Sequence, residues 1–265
     1  MQKVKLAGAE VSRFLIGSNP FSGFSHISVA KDKEMVGYYT VAKIKETLRE
    51  AERLGITGVV ARADHHVIRF LREYWDEGGK IKWMAQTCPG VGPSEMCVKE
   101  AAGGGAVGVH VHGGVMDYLV AQKQLDEAKR AVETARKLGM AAGIAGHTTA
   151  VFELAEKELD VDYYMCCYYN PTPRENSPEH VHGAEEKFRA EDRARMAAMI
   201  KTLSRPVIHY KIMAAGRNDP EEAFSFCCSV MRPGDAVCIG VYTAADPKMI
   251  AKDVALFEKY IGKPA

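Results

Sequence analysis

The chain alternates short apolar runs with longer amphipathic segments. The run RFLIGSN predicts a strand, VAKIKETLREAERLG predicts a helix that is closed by Gly55, and TGVVARAD predicts the next strand. The same order recurs to the end of the chain and makes eight strand–helix units in 265 residues. This is the size of one (β/α)8 barrel, so the sequence predicts an α/β fold with a single TIM-barrel domain over residues 1–265.

Two features refine this prediction. An open doubly wound sheet is the alternative, but LIGSNPFSG after the first strand lacks the G-x-G-x-x-G turn of such folds. Long polar segments after the first and sixth strands predict long loops, which are usually functional when they exceed about 12–15 residues. These loops carry His26, His180 and His182, which we expect either to be solvated or to close over a substrate.

Alternation along each strand predicts which side chains face the barrel axis. In AVGVHVH the valines are assigned to the helices, so His110 and His112 face the axis. In PVIHYKI the isoleucines and the tyrosine are assigned to the helices, so His209 and Lys211 face the axis. The same reasoning places further polar side chains at or near strand ends, namely Asn19, Arg62, Asp64, Gln86, His147, Asn170 and Tyr242. Unpaired burial of such groups is costly, so the cluster predicts a ligand pocket.

Composition narrows the class of protein. Hydrophobic residues make up 47% of the chain and the formal net charge is +1, which argues against nucleic acid or an anionic membrane as a partner. The sequence has no apolar run of membrane-spanning length and no apolar segment typical of a signal peptide near its start. Seven cysteines, two pairs of them adjacent, indicate reduced thiols and a cytoplasmic location. The oligomeric state stays open, a homo-oligomer included.

Three stretches resemble the aldo-keto reductase superfamily: VSRFLIGSNPFSG, GMAAGIAGHTTAVFELAEKELDVDYYMCCYYNP and GVYTAADPKMIAKDVALF. The resemblance implies that family's barrel and a catalytic tetrad of Asp, Tyr, Lys and His around a nicotinamide. Asp64 matches the aspartate, and His110 or His112 matches the histidine. Gln86 stands where the lysine is expected, and DHHVIRF after the aspartate contains no tyrosine. The resemblance therefore implies a reductase-like barrel with altered or lost hydride chemistry.

A divalent metal is the first chemical hypothesis. His110, His112, His147 and Asp64, with His209 as an alternative to Asp64, are side chains that suit Zn²⁺, Mn²⁺ or Fe²⁺, which would polarise a carbonyl or activate water. In the alternative, His110 lies one layer below the ligand and is hydrogen-bonded to Arg62 or Gln86.

Acid–base chemistry without a metal is the second hypothesis, with Asp64, His112, His147, His209 and Lys211 as its catalytic residues. Lys211 would form a Schiff base, act as a base or bind an anion. The third hypothesis is an NADP-dependent oxidoreductase, in which Arg217 binds a phosphate of the cofactor or the substrate unless it is a surface residue.

The sequence as a whole predicts an intracellular enzyme that acts on a small polar substrate such as a sugar or hydroxy acid. Metal-assisted or acid–base lyase, isomerase or hydrolase chemistry is the main prediction. The alternatives are an NADP-dependent aldo-keto-reductase-like oxidoreductase with an altered tetrad and a non-catalytic barrel that binds a small molecule. The predicted substrate-binding residues are Asn19, Arg62, Gln86, Asn170, Arg217 and Tyr242.

Overall fold

The computed structural model describes residues 1–180 and 184–262 and confirms the predicted barrel. The strands are β1 (Lys3–Leu6), β2 (Ala9–Ser12), β3 (Phe14–Gly17), β4 (Gly58–Arg62), β5 (Lys82–Gln86), β6 (Gly108–Val111), β7 (Ala141–Gly146), β8 (Tyr163–Cys167), β9 (Val207–Tyr210) and β10 (Ala236–Gly240). The strands β3 to β10 pair in parallel in chain order, and β10 closes the barrel on β3.

Helices surround this barrel. They are α1 (Val29–Tyr38), α2 (Val41–Arg53), α3 (His65–Asp76), α4 (Ser94–Gly103), α5 (Gly113–Ala121), α6 (Asp126–Lys137), α7 (Thr149–Glu158), α8 (Ala190–Ile200), α9 (Pro220–Val230) and α10 (Met249–Tyr260). None of the helices in residues 1–180 and 184–262 is long and apolar enough to cross a membrane.

The first two strands form a hairpin that the sequence analysis did not predict. Apolar side chains of the antiparallel pair β1–β2, such as Leu6 and Val11, pack with Leu15 inside the barrel. Lys82 at the start of β5 donates to the Glu10 carbonyl at 2.8 Å. The hairpin therefore covers the amino-terminal end of the barrel and leaves the carboxyl end of the strands for ligands.

Two segments differ from the prediction: one contains an additional helix, and the other forms two helices instead of one. The long segment after the first barrel strand contains α1, whose cap Ser28 accepts a hydrogen bond from the Lys31 amide. Residues 117–139, whose amphipathic pattern predicts one long helix, instead form the end of α5 and the whole of α6, because Lys123 adopts a positive φ of 55° between them. A left-handed residue ends the regular helix at that position.

The predicted orientation of β9 is wrong. Ile208 packs in the barrel interior with Leu15 and Met165, whereas Val207 packs with the helices. His209 therefore also faces away from the axis, where Tyr168 and Asp235 contact its ring at 2.9 and 3.4 Å. The inward side chain is Tyr210, which had been assigned to the helices.

The hairpin should contribute strongly to stability. Leu6 is fully buried among interior side chains, so we expect Leu6→Ala to lower the free energy of unfolding by about 2–5 kcal/mol. Urea unfolding measures this, with Leu138→Ala, at a site 48% exposed, as the matched control. Equal losses in the two variants would show that the hairpin is not part of the core.

Candidate active site at the carboxyl end of the barrel

Two adjoining chambers open at the carboxyl ends of the barrel strands. One has a volume of about 450 Å³ and lies beside the ends of β3, β9 and β10, and the other has a volume of about 200 Å³ and more polar walls. Seven residues line both chambers: Asn19, Phe24, His26, Arg62, Gln86, Tyr210 and Lys211. These seven residues therefore mark the junction between the chambers.

His110 lies below the chambers. Its ring is fully buried, with Nε2 3.4 Å from the Gln86 amide oxygen and Nδ1 3.2 Å from the Tyr163 hydroxyl. The side chain of Tyr163 fills this layer because Gly143 has no Cβ, which would lie 2.6 Å from the tyrosine ring. Burial lowers the pKa of His110 to about 3, so the imidazole is neutral. The alternative that His110 supports the site through Gln86 agrees with this geometry.

His112 lines the smaller chamber and also caps α5. Its Nδ1 accepts the Gly114 amide at 3.0 Å, so the remaining proton of the neutral ring belongs to Nε2. Burial, followed by the charge of His147, lowers the pKa of His112 well below its usual value. His112 is thus a neutral hydrogen-bonding group in the chamber wall.

A chain of three hydrogen-bonded side chains leads into the junction. His147 Nδ1 lies 2.6 Å from an Asp117 carboxylate oxygen, and the other oxygen accepts the His147 amide at 3.1 Å. His147 Nε2 lies 3.4 Å from the Tyr210 hydroxyl. The carboxylate accepts from Nδ1–H, and Nε2 is the ring nitrogen that faces the Tyr210 hydroxyl. Gly113 makes room, because a Cβ there would lie 2.8 Å from the His147 ring.

Lys211 enters the chambers through an unusual backbone conformation. It directly follows β9 and has a φ of +58°, which breaks the strand alternation just after Tyr210. The predicted inward position of Lys211 therefore agrees with the structure for a reason that the strand pattern did not contain. Burial lowers the pKa of Lys211, although the nearby Cys167 and Glu186 act in the opposite direction.

Arg62, Asp64 and Gln86 occupy the ends of the second and third barrel strands. Arg62 Nε lies 2.9 Å from Asp64, and the Asp64 carboxylate also caps α3 by accepting the Val67 amide at 2.9 Å. Arg62 and Gln86 line both chambers. Asp64 stands behind Arg62 and orients it.

The remaining predicted residues lie at different distances from the chambers. Tyr242 lines the larger chamber and donates to Glu34 at 2.6 Å. Asn170 does not line either chamber, and its backbone N–H donates to the Asp192 carboxylate at 3.3 Å. Arg217 does not bind at the chambers but donates to the Ala214 and His26 carbonyls at 3.1 and 3.2 Å.

The predicted metal ligands do not converge. In residues 1–180 and 184–262, no three of His110, His112, His147 and Asp64 bring their donor atoms within 4.8 Å of one another. His110 is below the chambers, His112 caps a helix and Asp64 pairs with Arg62. The prediction of a metal on these four side chains is therefore wrong in its geometry, and the substitute ligand His209 faces the helices.

A different cluster lies at the mouth of the smaller chamber. His26 Nδ1 is 2.8 Å from Glu186 Oε1, and His180 Nδ1 is 4.0 Å from the same oxygen. Burial lowers the pKa of His26 to about 4, and the charge of Lys211 adds to this effect. Burial alone would raise the pKa of Glu186, but the hydrogen bond from His26 and nearby positive charges hold it at about 2. The predicted loop residue His182 lies outside the described part of the chain.

Sequence reasoning missed Tyr210, Asp117 and Glu186. Both phases of VIHY contain an apolar and a polar residue, so the strand pattern alone could not choose Tyr210 over His209. Asp117 follows His112 by five residues within the first turns of α5, and this spacing offers a weak signal. Glu186 lies in a polar loop and gives none.

No protein-family model matches the chain, and no curated protein matches its sequence. Solved structures do match. The holo form of an aldo-keto reductase from Bacillus halodurans is 14% identical, with a TM-score of 0.62 over 100% of this chain and 92% of that one. A protein of Pseudomonas aeruginosa assigned to the aldo-keto reductases is 16% identical, with a TM-score of 0.62 over 98% and 94% of the two chains.

The fold is an aldo-keto-reductase-like barrel. A truncated 3-deoxy-D-arabino-heptulosonate 7-phosphate synthase from Thermotoga maritima also matches, at 12% identity and a TM-score of 0.55 over 97% of this chain and 90% of that one. Because reductases and a synthase share this barrel, the likeness shows the fold, and the chemistry must be argued from the site.

The buried His110 should make the protein less stable in acid. Its pKa is about 3 in the folded chain against 6.5 for a free side chain, so between these values only the unfolded chain takes up the proton. The free energy of unfolding therefore falls as pH decreases below about 6.5, by about 1.4 kcal/mol per pH unit.

Urea unfolding of His110→Gln at about pH 7 and about pH 5 tests this. We expect the variant to lose about 2 kcal/mol less than the parent between the two pH values. The exposed His65→Gln should lose as much as the parent. An unchanged loss in His110→Gln would mean that His110 is protonated in the folded chain.

Proposed function

We propose that the protein is a nicotinamide-dependent oxidoreductase that interconverts a hydroxyl and a carbonyl group on a small polar substrate. The observation that carries this proposal is the position of Tyr210, which lines both chambers and whose hydroxyl lies 3.4 Å from His147 Nε2. Such a reaction needs a proton-transferring group between a cofactor space and a substrate space. The likeness to aldo-keto reductases supports the fold on which this arrangement is built.

Tyr210, His147 and Asp117 would move the proton. In the oxidation direction the substrate hydroxyl gives its proton to the Tyr210 oxygen while the Tyr210 proton passes to His147 Nε2. Asp117 stabilises the imidazolium that forms, because it already accepts the hydrogen bond from Nδ1 at 2.6 Å. In the reduction direction the imidazolium returns its proton to Tyr210 as Tyr210 protonates the carbonyl oxygen. A relay of Tyr210 and His147 would thus do the work of the tyrosine and lysine that the resemblance to aldo-keto reductases implies.

The larger chamber fits the nicotinamide half of the cofactor, which when bound exchanges a hydride with the substrate carbon. Away from the polar junction its lining includes the apolar residues Met165, Ile212 and Ile239. Lys31 and Lys211 are cations that this chamber offers to phosphates. Burial raises the pKa of Asp253 in its wall to about 7, which reduces the negative charge that this carboxyl would place there.

The smaller chamber favours an anionic substrate. Arg62, Arg174 and Lys211 line it, and the neutral His112 offers a hydrogen-bond donor. Arg62 is paired with the Asp64 carboxylate at 2.9 Å, and Glu186 lies near both Arg174 and Lys211. A hydroxy acid, a sugar acid or a phosphorylated sugar has the charge and the hydroxyl groups that these residues would bind.

Binding and turnover test the proposal separately. We expect NADPH or NADH fluorescence to change on addition of the protein, and a panel of hydroxy acids, sugar acids and sugar phosphates to reveal turnover. Tyr210→Phe should lower kcat by about 100-fold to 10,000-fold and leave the cofactor Kd unchanged, because the hydroxyl acts only in proton transfer.

Tyr260→Phe is the matched control, because the Tyr260 hydroxyl donates a hydrogen bond to Glu221 on the protein surface at 2.6 Å. Failure of both nucleotides to bind at high micromolar concentration would overturn the proposal. Full turnover by Tyr210→Phe would remove the proton relay from it.

A second function is favoured by one observation, the burial of Lys211 with a lowered pKa at the chamber junction. A neutral lysine amine can add to a substrate carbonyl, and loss of water then gives a Schiff base that supports lyase or isomerase chemistry without a nicotinamide. Tyr210 and His147 would supply and remove the protons of these steps.

Borohydride trapping distinguishes this second function. If Lys211 forms a Schiff base, reduction in the presence of small aldehydes or oxo acids adds a stable mass to the peptide that contains Lys211. The exposed Lys99 should remain unmodified under the same conditions. Labelling of both lysines, or of neither, would contradict the Schiff-base function and leave Lys211 as an anion-binding residue.

A further inference from the structure

Three metal-binding side chains from two loops meet at the mouth of the smaller chamber. His26 belongs to the segment after β3, and His180 and Glu186 belong to the segment between β8 and α8. We propose that His26, His180 and Glu186 bind one divalent transition-metal ion, with zinc as the ion of best fit, which joins the two loops over the site. This site is distinct from the metal ligands expected from the sequence and does not depend on the proposed oxidoreductase activity.

The distances suit such an ion. One donor atom from each side chain lies within 4.8 Å of the other two, and the two histidine nitrogens are 2.8 and 4.0 Å from Glu186 Oε1. Zinc bonds of about 2.0–2.1 Å in a tetrahedron place neighbouring donors about 3.3 Å apart, which lies between these two distances. Coordination therefore needs small movements of the three ligands and displacement of Arg174, whose Nη2 lies 3.4 Å from His180 Nδ1.

The carboxylate gives an independent indication. Only 4% of the Glu186 side chain is exposed, and its Oε2 is buried without a hydrogen-bond partner. A buried carboxylate oxygen without a partner is costly, because water no longer solvates its charge. A cation bound by this carboxylate would satisfy the charge. Two imidazoles and one carboxylate are also a donor set that holds zinc and iron in other proteins.

The loop around His26 is built to hold its ring in place. His26 has a φ of +58°, a conformation that non-glycine residues seldom adopt, and Arg217 donates to its carbonyl at 3.2 Å. Its second ring nitrogen, Nε2, lies 3.3 Å from the Asn19 side-chain amide. With the ion on Nδ1, Nε2 carries the proton and donates to the Asn19 amide oxygen after that amide rotates. Such an outer partner fixes the ring of a ligating histidine.

The ion would retain an open coordination position toward the substrate. His26 and His180 line the smaller chamber together with Arg62, His147 and Lys211. Three protein ligands leave a tetrahedral ion with a fourth position, which a carboxylate, phosphate or hydroxyl oxygen of an anionic ligand can occupy. The ion would thus both close the mouth and orient what is bound beneath it.

Cobalt and zinc titration of the full chain, stripped with a chelator and free of an affinity tag, tests the proposal. We expect about one Co²⁺ per chain after dialysis, with the visible absorption of a tetrahedral ion, and displacement by Zn²⁺. A thiolate-to-cobalt absorption band would overturn the proposal, because it would place the ion on a cysteine such as Cys88 in the smaller chamber. Binding of less than about a tenth of an ion per chain would also overturn it.

Variants localise the ion. Glu186→Gln and His26→Ala should each weaken Co²⁺ binding at least about 100-fold, because loss of even an outer partner costs about 10- to 100-fold. The neighbouring, exposed Glu185→Gln and the exposed His65→Ala are the matched controls and should bind as the parent does. Unchanged affinity in Glu186→Gln, or loss of the ion only in His147→Ala, would contradict the assignment. Circular dichroism of each variant establishes that it is folded.

Discussion

Closure of eight parallel strands into a barrel is the constraint on which the rest of the structure depends. It brings the carboxyl ends of strands that are distant in sequence to one end of the barrel. It also makes successive side chains of each strand point alternately toward the barrel axis and toward the helices. Polar groups that point inward must then satisfy one another or a ligand. The contact of His110 with Gln86 and Tyr163 is the first solution, and the chain from Asp117 through His147 to Tyr210 is the second.

The site is set apart from the core by one departure from this regularity. Immediately after β9 the left-handed backbone of Lys211 turns its amine toward the chambers, next to the inward ring of Tyr210. Two consecutive residues therefore present a hydroxyl and an amine to the same space, which a regular strand would not allow. The left-handed backbone of Lys211 is unfavourable in itself, but it places the lysine amine and the tyrosine hydroxyl side by side, which a regular strand excludes.

The sequence predicts the barrel because its apolar runs and amphipathic segments have the periods of strands and helices. It also predicts that Arg62, Gln86 and His147 reach the chambers, since each lies at or just beyond the end of a strand. It could not predict the direction of His209, whose burial is compensated by Asp235, a partner 26 residues away. Loop side chains escape prediction for a related reason, because no repeating geometry links their position in sequence to their position in space.

Arg217 has a consequence for how molecules enter and leave. Its guanidinium donates to the carbonyls of Ala214 and His26 and stacks over the ring of Phe188, with a distance of 4.5 Å to the ring centroid. One side chain thereby fastens the segments that follow the first, sixth and seventh barrel strands. Because all of these contacts belong to one guanidinium, moving either the first or the sixth segment away from the seventh costs a contact of Arg217. The walls around the mouth are thus linked through a residue that does not itself line a chamber.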